Sequence, residues 1–277
     1  MWLKNKTKLF RKRFFHRCRM FFHYRQRKMD IKDPVFVISD KRTGSHVLLD
    51  CLNSIPGVSF AAEILNPRMF YGLRRHFISK KSVQRHIVHS IHDSVDRIRG
   101  AKFLRGDLEA HGISLPDLKS LFPKARFIIL YRRSLLDQFI SLKIAEATGL
   151  WLWTKDFRLP GAFYISSSEF QAYCWETKAF YVELFRQEWL RSCSLALSYE
   201  DLVEDTQGVF EGAVCPFLGM PFTPVHHGMV KQNTKEPRQM IENYDEIACI
   251  LHSPIAWQEY TPRRQEKNIF LETGYVA

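Results

Sequence analysis

The chain has 277 residues, 45% of them hydrophobic and 14% aromatic, which is enough for a fully cored α/β domain and too apolar for a disordered chain. Its net charge of +12 is lopsided: residues 1–30 hold eleven Lys/Arg against one acid, whereas the remainder holds 30 bases and 28 acids. No window reaches the roughly 18–20 apolar residues of a membrane-spanning helix, no signal-peptide apolar run is visible, and six scattered cysteines without a CxxC pair favour reduced thiols over a zinc site or disulfide scaffold.

Residues 1–30 read as a basic, aromatic extension in which Phe10, Phe14, Phe15, Phe21 and Phe22 interleave with Lys and Arg. An amphipathic helix of that kind suits an anionic membrane surface. Nucleic acid is the disfavoured partner, and a plain solvated extension is the structural alternative. Residues 33–277 read as a single domain in the cytoplasm, with a peripheral place on the inner membrane face if the extension binds lipid.

Within that domain, Val35–Ser39 is a buried strand, Asp40–Gly44 a tight loop, and Ser45–Ser54 a helix stopped by Pro56-Gly57. Val83, Ile87, Ile91 and Val95 form one apolar stripe, so 82–98 reads as a helix. Ala101–Leu104 and Arg126–Tyr131 read as strands, Leu135–Ala147 as a helix, and 149–167 as a loop. Ser166, three residues before Glu169, predicts a capping box for a helix reaching about Leu190. A strand at Leu195–Tyr199 and a helix at Val209–Leu218 ended by Gly219 follow. Such alternation implies α/β architecture with a mostly parallel central sheet flanked by helices.

Two stretches carry chemistry. The first is Lys41-Arg42-Thr43-Gly44-Ser45-His46, between a buried strand and a helix start. A helix N-terminus attracts phosphate, Gly44 permits close backbone approach, Thr43 and Ser45 add hydroxyls, and Arg42 offers a bidentate clamp. The Walker pattern GxxxxGK[ST] is absent, which argues against an ATPase or kinase. The second is Arg132-Arg133-Ser134 after the Arg126–Tyr131 strand, with Ser141 eight residues beyond Arg133, a little over two helical turns.

The first loop resembles the 5′-phosphosulfate loop of sulfotransferases that use 3′-phosphoadenosine-5′-phosphosulfate (PAPS). The spacing of Arg133 and Ser141 resembles that family's 3′-phosphate site. His46, in place of the commoner Thr or Ser, looks like the loop of bacterial nodulation-factor sulfotransferases. Glu63, in Ala62-Glu63-Ile64-Leu65-Asn66-Pro67, and Lys102, in Gly100-Ala101-Lys102-Phe103, are similar to the family's acidic residue near the transferred group and its Lys near the leaving group. Leu197-Ser198-Tyr199-Glu200-Asp201-Leu202 looks like the segment whose Tyr approaches adenine, and Lys231 and Gln232 fall in a late basic element similar to one that helps hold the nucleotide.

The resemblance implies a P-loop-like sulfotransferase fold, PAPS as donor without a metal, and sulfuryl transfer to a carbohydrate or glycolipid hydroxyl. Glu63 is the first choice of base and His46 its rival. Trp151 and Trp153 are aromatic faces available to an acceptor. His86, His89 and His92, at three-residue steps, read as helix surface and not as metal ligands. Two other readings stay open: a nucleotide- or membrane-binding protein of this fold without turnover, and another nucleotide-dependent transferase such as a kinase. Oligomeric state is not encoded.

Overall fold

The computed structural model describes residues 33–66, 79–92, 96–151, 161–229 and 236–251. The extension 1–30, Trp153, Lys231 and Gln232 lie outside these residues. Five strands, β1 (Val35–Ser39), β2 (Val58–Ala61), β3 (Ile98–Leu104), β4 (Arg126–Tyr131) and β5 (Ser194–Ser198), form one parallel sheet in the order β2-β3-β1-β4-β5. β1, β3 and β4 are near-continuous apolar or fully buried runs, as strands covered on both faces require. The chain leaves β1 toward one edge of the sheet and leaves β4 toward the other. The neighbouring pair β1 and β4 is therefore the topological switch point, outside whose carboxyl ends ligands of open α/β sheets bind.

By contact density the chain forms two compact units, one built from residues up to Val37 with Pro56–Arg126, the other from Ile38–Ile55 with Phe127 onward. In the first, β2 pairs with β3 in a register that sets Ala61 opposite Ala101. Phe36 packs on Phe103 and Phe122 at ring separations of 5.4 and 5.6 Å. Gly100 is fixed by sterics, because a Cβ there would overlap the Val35 carbonyl and the Phe60 ring. Helix α1 (Ser45–Asn53) belongs to the second unit; α2 (Lys80–His92), α3 (Arg105–Ala110) and α4 (Leu115–Leu121) belong to the first. α4 opens with a reciprocal capping box between Ser114 and Asp117. α2 is described over Lys80–His92, and Ile98, expected to close that helix, starts β3 instead.

In the second unit β4 pairs with β5 from Phe127↔Ser194 to Tyr131↔Ser198. Helix α5 (Leu135–Thr148) is capped by Ser134 and ends at Gly149 with φ 69°, the left-handed conformation glycine adopts without penalty. Helix α6 (Ser167–Arg186) starts where Ser166 accepts the Glu169 N–H, but the Glu169 carboxylate pairs with Lys143 across the α5–α6 contact. It stops at Arg186, short of Leu190, and a separate turn, α7 (Glu188–Arg191), follows. Phe139 stacks obliquely on Phe170 and Tyr173 at 5.2 and 4.9 Å, locking α5 to α6. Tyr199 opens helix α8 (Tyr199–Glu204) and is not the last residue of β5. The expected helix over 209–218 contains a π-helical turn at Phe210–Val214 and is closed by Gly219 at φ 68°.

Candidate active site

The loop between β1 and α1 turns sharply because two residues adopt positive φ: Arg42 at 62° and Gly44 at 77°. For arginine that conformation costs about 1–3 kcal/mol and persists only where neighbours enforce it. The neighbours are visible. Gln138 Nε2 donates to the Lys41 carbonyl at 2.7 Å, and Arg132 Nη1 donates to the Arg42 carbonyl at 3.3 Å. The Thr43 hydroxyl donates to the Asp40 carbonyl at 3.0 Å, so its proton closes the loop internally. The Asp40 N–H reaches the hydroxyl of buried Tyr181, which itself donates to the Leu130 carbonyl, tying the ends of β1 and β4 together.

The Arg42 side chain lies along α5. Its Nε donates to Ser141 Oγ at 2.9 Å and its Nη1 to the Trp151 carbonyl at 2.7 Å. Ser141 therefore serves the first loop, although its spacing suggests the second. Burial and the nearby Arg132 guanidinium lower the affinity of Arg42 for its proton, opposed by Tyr199. Two guanidinium groups thus stand close together in a partly buried cradle. The nearest carboxylates to Arg132, Asp137 and Glu200, stand at 3.8 and 3.9 Å, beyond hydrogen-bond length.

Tyr199 closes this cradle. Its ring lies under the Arg132 guanidinium at 4.6 Å and against Gly44, where any Cβ would overlap Tyr199 Cδ2. Gly44→Ala is therefore expected to cost about 1–3 kcal/mol, from positive φ and from displacement of the ring. Urea unfolding checks it: the double variant with Tyr199→Ala should recover the steric part, and an unchanged midpoint in the single variant would contradict the packing.

The second loop presents Arg133, 36% exposed, paired through Nη1 with Asp201 at 2.8 Å. The Glu200 carboxylate accepts the backbone N–H groups of Arg133 and Ser134 at 2.9 and 3.1 Å. Lys41 is exposed, Ser45 buried and His46 half-buried in the first turn of α1. Trp151 lies partly exposed just past α5.

A second constellation lies in the first unit. The register Ala61↔Ala101 brings Glu63, two residues beyond β2, to Lys102 on β3. Lys102 Nζ donates to Glu63 Oε1 at 2.7 Å, with side-chain exposures of 0% and 12%. Asn66 Nδ2 donates to Glu63 Oε2 at 2.7 Å. Glu63, at φ 42°, is the other non-glycine residue with positive φ among the described residues. Two histidines brace its turn: His86 Nε2 lies 2.9 Å from the Ile64 carbonyl and His111 Nε2 lies 3.1 Å from that of Leu65. His86 thus faces this turn, whereas its spacing with His89 and His92 suggests helix surface. No group of three His, Cys, Asp or Glu side chains is arranged to hold a metal among the described residues.

Sequence reasoning did not single out Arg132, Gln138, Tyr181, Glu200 or Asn66. Arg132 and Glu200 lie beside named motif residues, and Gln138 sits one helical turn before Ser141, so the helical period is the signal that points to it.

A strand–loop–helix turn at the switch point of a parallel sheet defines a P-loop-like α/β protein. The chain belongs to the sulfotransferase family, whose model matches residues 34–224. Among solved structures it is similar to the sulfotransferase from Alicyclobacillus acidocaldarius, at 15% identity and TM-score 0.49 over 80% of this chain and 93% of that one. It is also similar to mouse sulfotransferase SULT7A1 complexed with PAP, at 11% identity and TM-score 0.43 over 88% and 84% of the two chains. No curated protein matches the chain.

Proposed function

We propose that this sulfotransferase takes the sulfuryl group from PAPS and passes it to a hydroxyl of a carbohydrate or glycolipid, without a metal. One observation carries the donor reading: loops from the carboxyl ends of β1 and β4 converge, so that Arg42, Arg132, Ser141, Gly44 and Tyr199 form one cationic cradle. The residues fit a donor with an anion at each end. Gly44, at positive φ, turns the loop so that backbone N–H groups can face a phosphate, and the Arg42–Arg132 pair suits a negative charge. PAPS supplies a sulfuryl group on a phosphosulfate bridge and leaves as 3′-phosphoadenosine-5′-phosphate (PAP).

In this reading Lys41, Arg42, Thr43, Gly44, Ser45 and His46 hold the 5′ end. Arg133 and Ser141 hold the 3′-phosphate, Ser141 being shared with Arg42, and Tyr199 flanks the adenine, with Lys231 and Gln232 as further contacts. Glu63 takes the acceptor proton while the new S–O bond forms and the bridging S–O bond breaks. Lys102 donates to one of its carboxylate oxygens and Asn66 to the other, which fixes the plane of the carboxylate. Lys102 also suits the charge on the leaving group. His46 is the rival base. Trp151 and Trp153 offer stacking faces to a sugar. The basic extension 1–30 would bring the enzyme to an anionic membrane carrying a lipid-linked acceptor, from the cytoplasmic side. We treat residues 33–277 as one sulfotransferase-like domain.

The test uses PAP calorimetry together with transfer of radiolabelled PAPS to a panel of glycan and glycolipid hydroxyls. Arg133→Ala is expected to weaken PAP binding by about tenfold or more with the melting temperature retained, because one charge-assisted contact to phosphate is lost. Unchanged affinity would remove Arg133 from the site. Binding without transfer to any acceptor would favour a nucleotide-binding protein without turnover, and dependence on ATP and magnesium would favour a kinase.

A further inference from the structure

We infer that Gln138 is a positioning residue for the 5′ end of the donor, an inference that rests on the PAPS reading above. Gln138 lies in the second turn of α5 and is completely buried. Its Nε2 donates to the Lys41 carbonyl at 2.7 Å, while its Oε1 is buried without a hydrogen-bond partner. Burial of a half-satisfied amide opposes folding, and a thioether of similar length would fill the same space without that cost. The position is therefore poorly explained by packing.

The loop explains it. An anion resting on the 40–45 backbone is repelled by any carbonyl oxygen turned toward it. The carbonyls of two consecutive residues, Lys41 and Arg42, are taken by side-chain donors from the β4–α5 segment, Gln138 and Arg132. Both bonds flank the one loop residue other than glycine that is held at positive φ. Three residues after Gln138, on the same face of α5, Ser141 accepts from Arg42 Nε. One face of α5 thus holds both the backbone and the side chain of the loop. Gln138 acts through Lys41 and Arg42 and needs no contact with the donor.

The experiment measures PAP and adenosine 3′-monophosphate binding by calorimetry, and melting temperature, for the full-length wild type and Gln138→Met. The variant should keep or raise the melting temperature. Its PAP affinity should fall by about tenfold. Adenosine 3′-monophosphate, which lacks the 5′ phosphate, should bind both proteins equally. Equal PAP affinity in the two proteins overturns the inference while leaving the donor reading intact. An equal loss for both ligands also overturns it, since the residue would then support the site as a whole. A wild type that does not bind PAP overturns the donor reading and the inference together. Gln138→Leu, read in the same way, replaces the Met variant if that protein is insoluble.

Discussion

Arg42→Ala is expected to cut sulfuryl transfer by about 100- to 1,000-fold, the scale observed when a preorganised donor to developing charge is removed. The argument is electrostatic. The Arg42 guanidinium is fixed at two points, by Ser141 Oγ and the Trp151 carbonyl, so its plane is oriented in advance. Arg42→Lys keeps the charge but cannot span both anchors, because an ammonium lacks the planar fork. It should recover only part of the rate. Steady-state assays with saturating PAPS check both variants. If alanine leaves the turnover number within a factor of about two, well short of the oxyanion-donor scale, Arg42 has no part in the transfer step.

Lys102→Met is expected to destabilise the protein by about 3–5 kcal/mol, toward the lower figure because Glu63 keeps some solvent access. The ammonium is fully buried, and its removal takes away the cation that Glu63 Oε1 accepts from while Asn66 still donates to Oε2. The double variant with Glu63→Leu should regain much of the loss, because replacing both members of a buried pair by apolar groups is often close to neutral. That double variant should fold without transferring sulfate. Chemical denaturation followed by circular dichroism gives the stabilities. A loss below about 1 kcal/mol in the single variant would place the pair among ordinary surface bridges.

The sequence makes the first loop plain, because its elements are local: a four-residue apolar run closed by Ser39, a glycine and a helix start fall where β1, the loop and α1 lie. It is mute about Glu63 and Lys102 as a pair. They are 39 residues apart, and they meet through the β2–β3 register, a long-range fact that no periodicity carries. β2 itself, four residues directly after Pro56-Gly57, is too short to show a pattern. Ser141 illustrates a different limit. Its distance along the helix from Arg133 is legible, but the direction of its hydroxyl depends on how α5 rotates against the β1 loop, and that rotation is set by the packing of Phe139 against Phe170 and Tyr173. The left-handed conformations of Arg42 and Glu63 have no compositional signal either, since neither residue type favours them.

Tyr199 has a consequence beyond its proposed place beside adenine. A single ring seals Gly44 on one side and rests on Arg132 on another, while its own backbone begins the helix after β5. The loop 40–45 and the first turn of α8 therefore share one ring. In the proposed reading, an excursion that frees a product's 5′ end displaces that ring, which ties product egress to the start of α8.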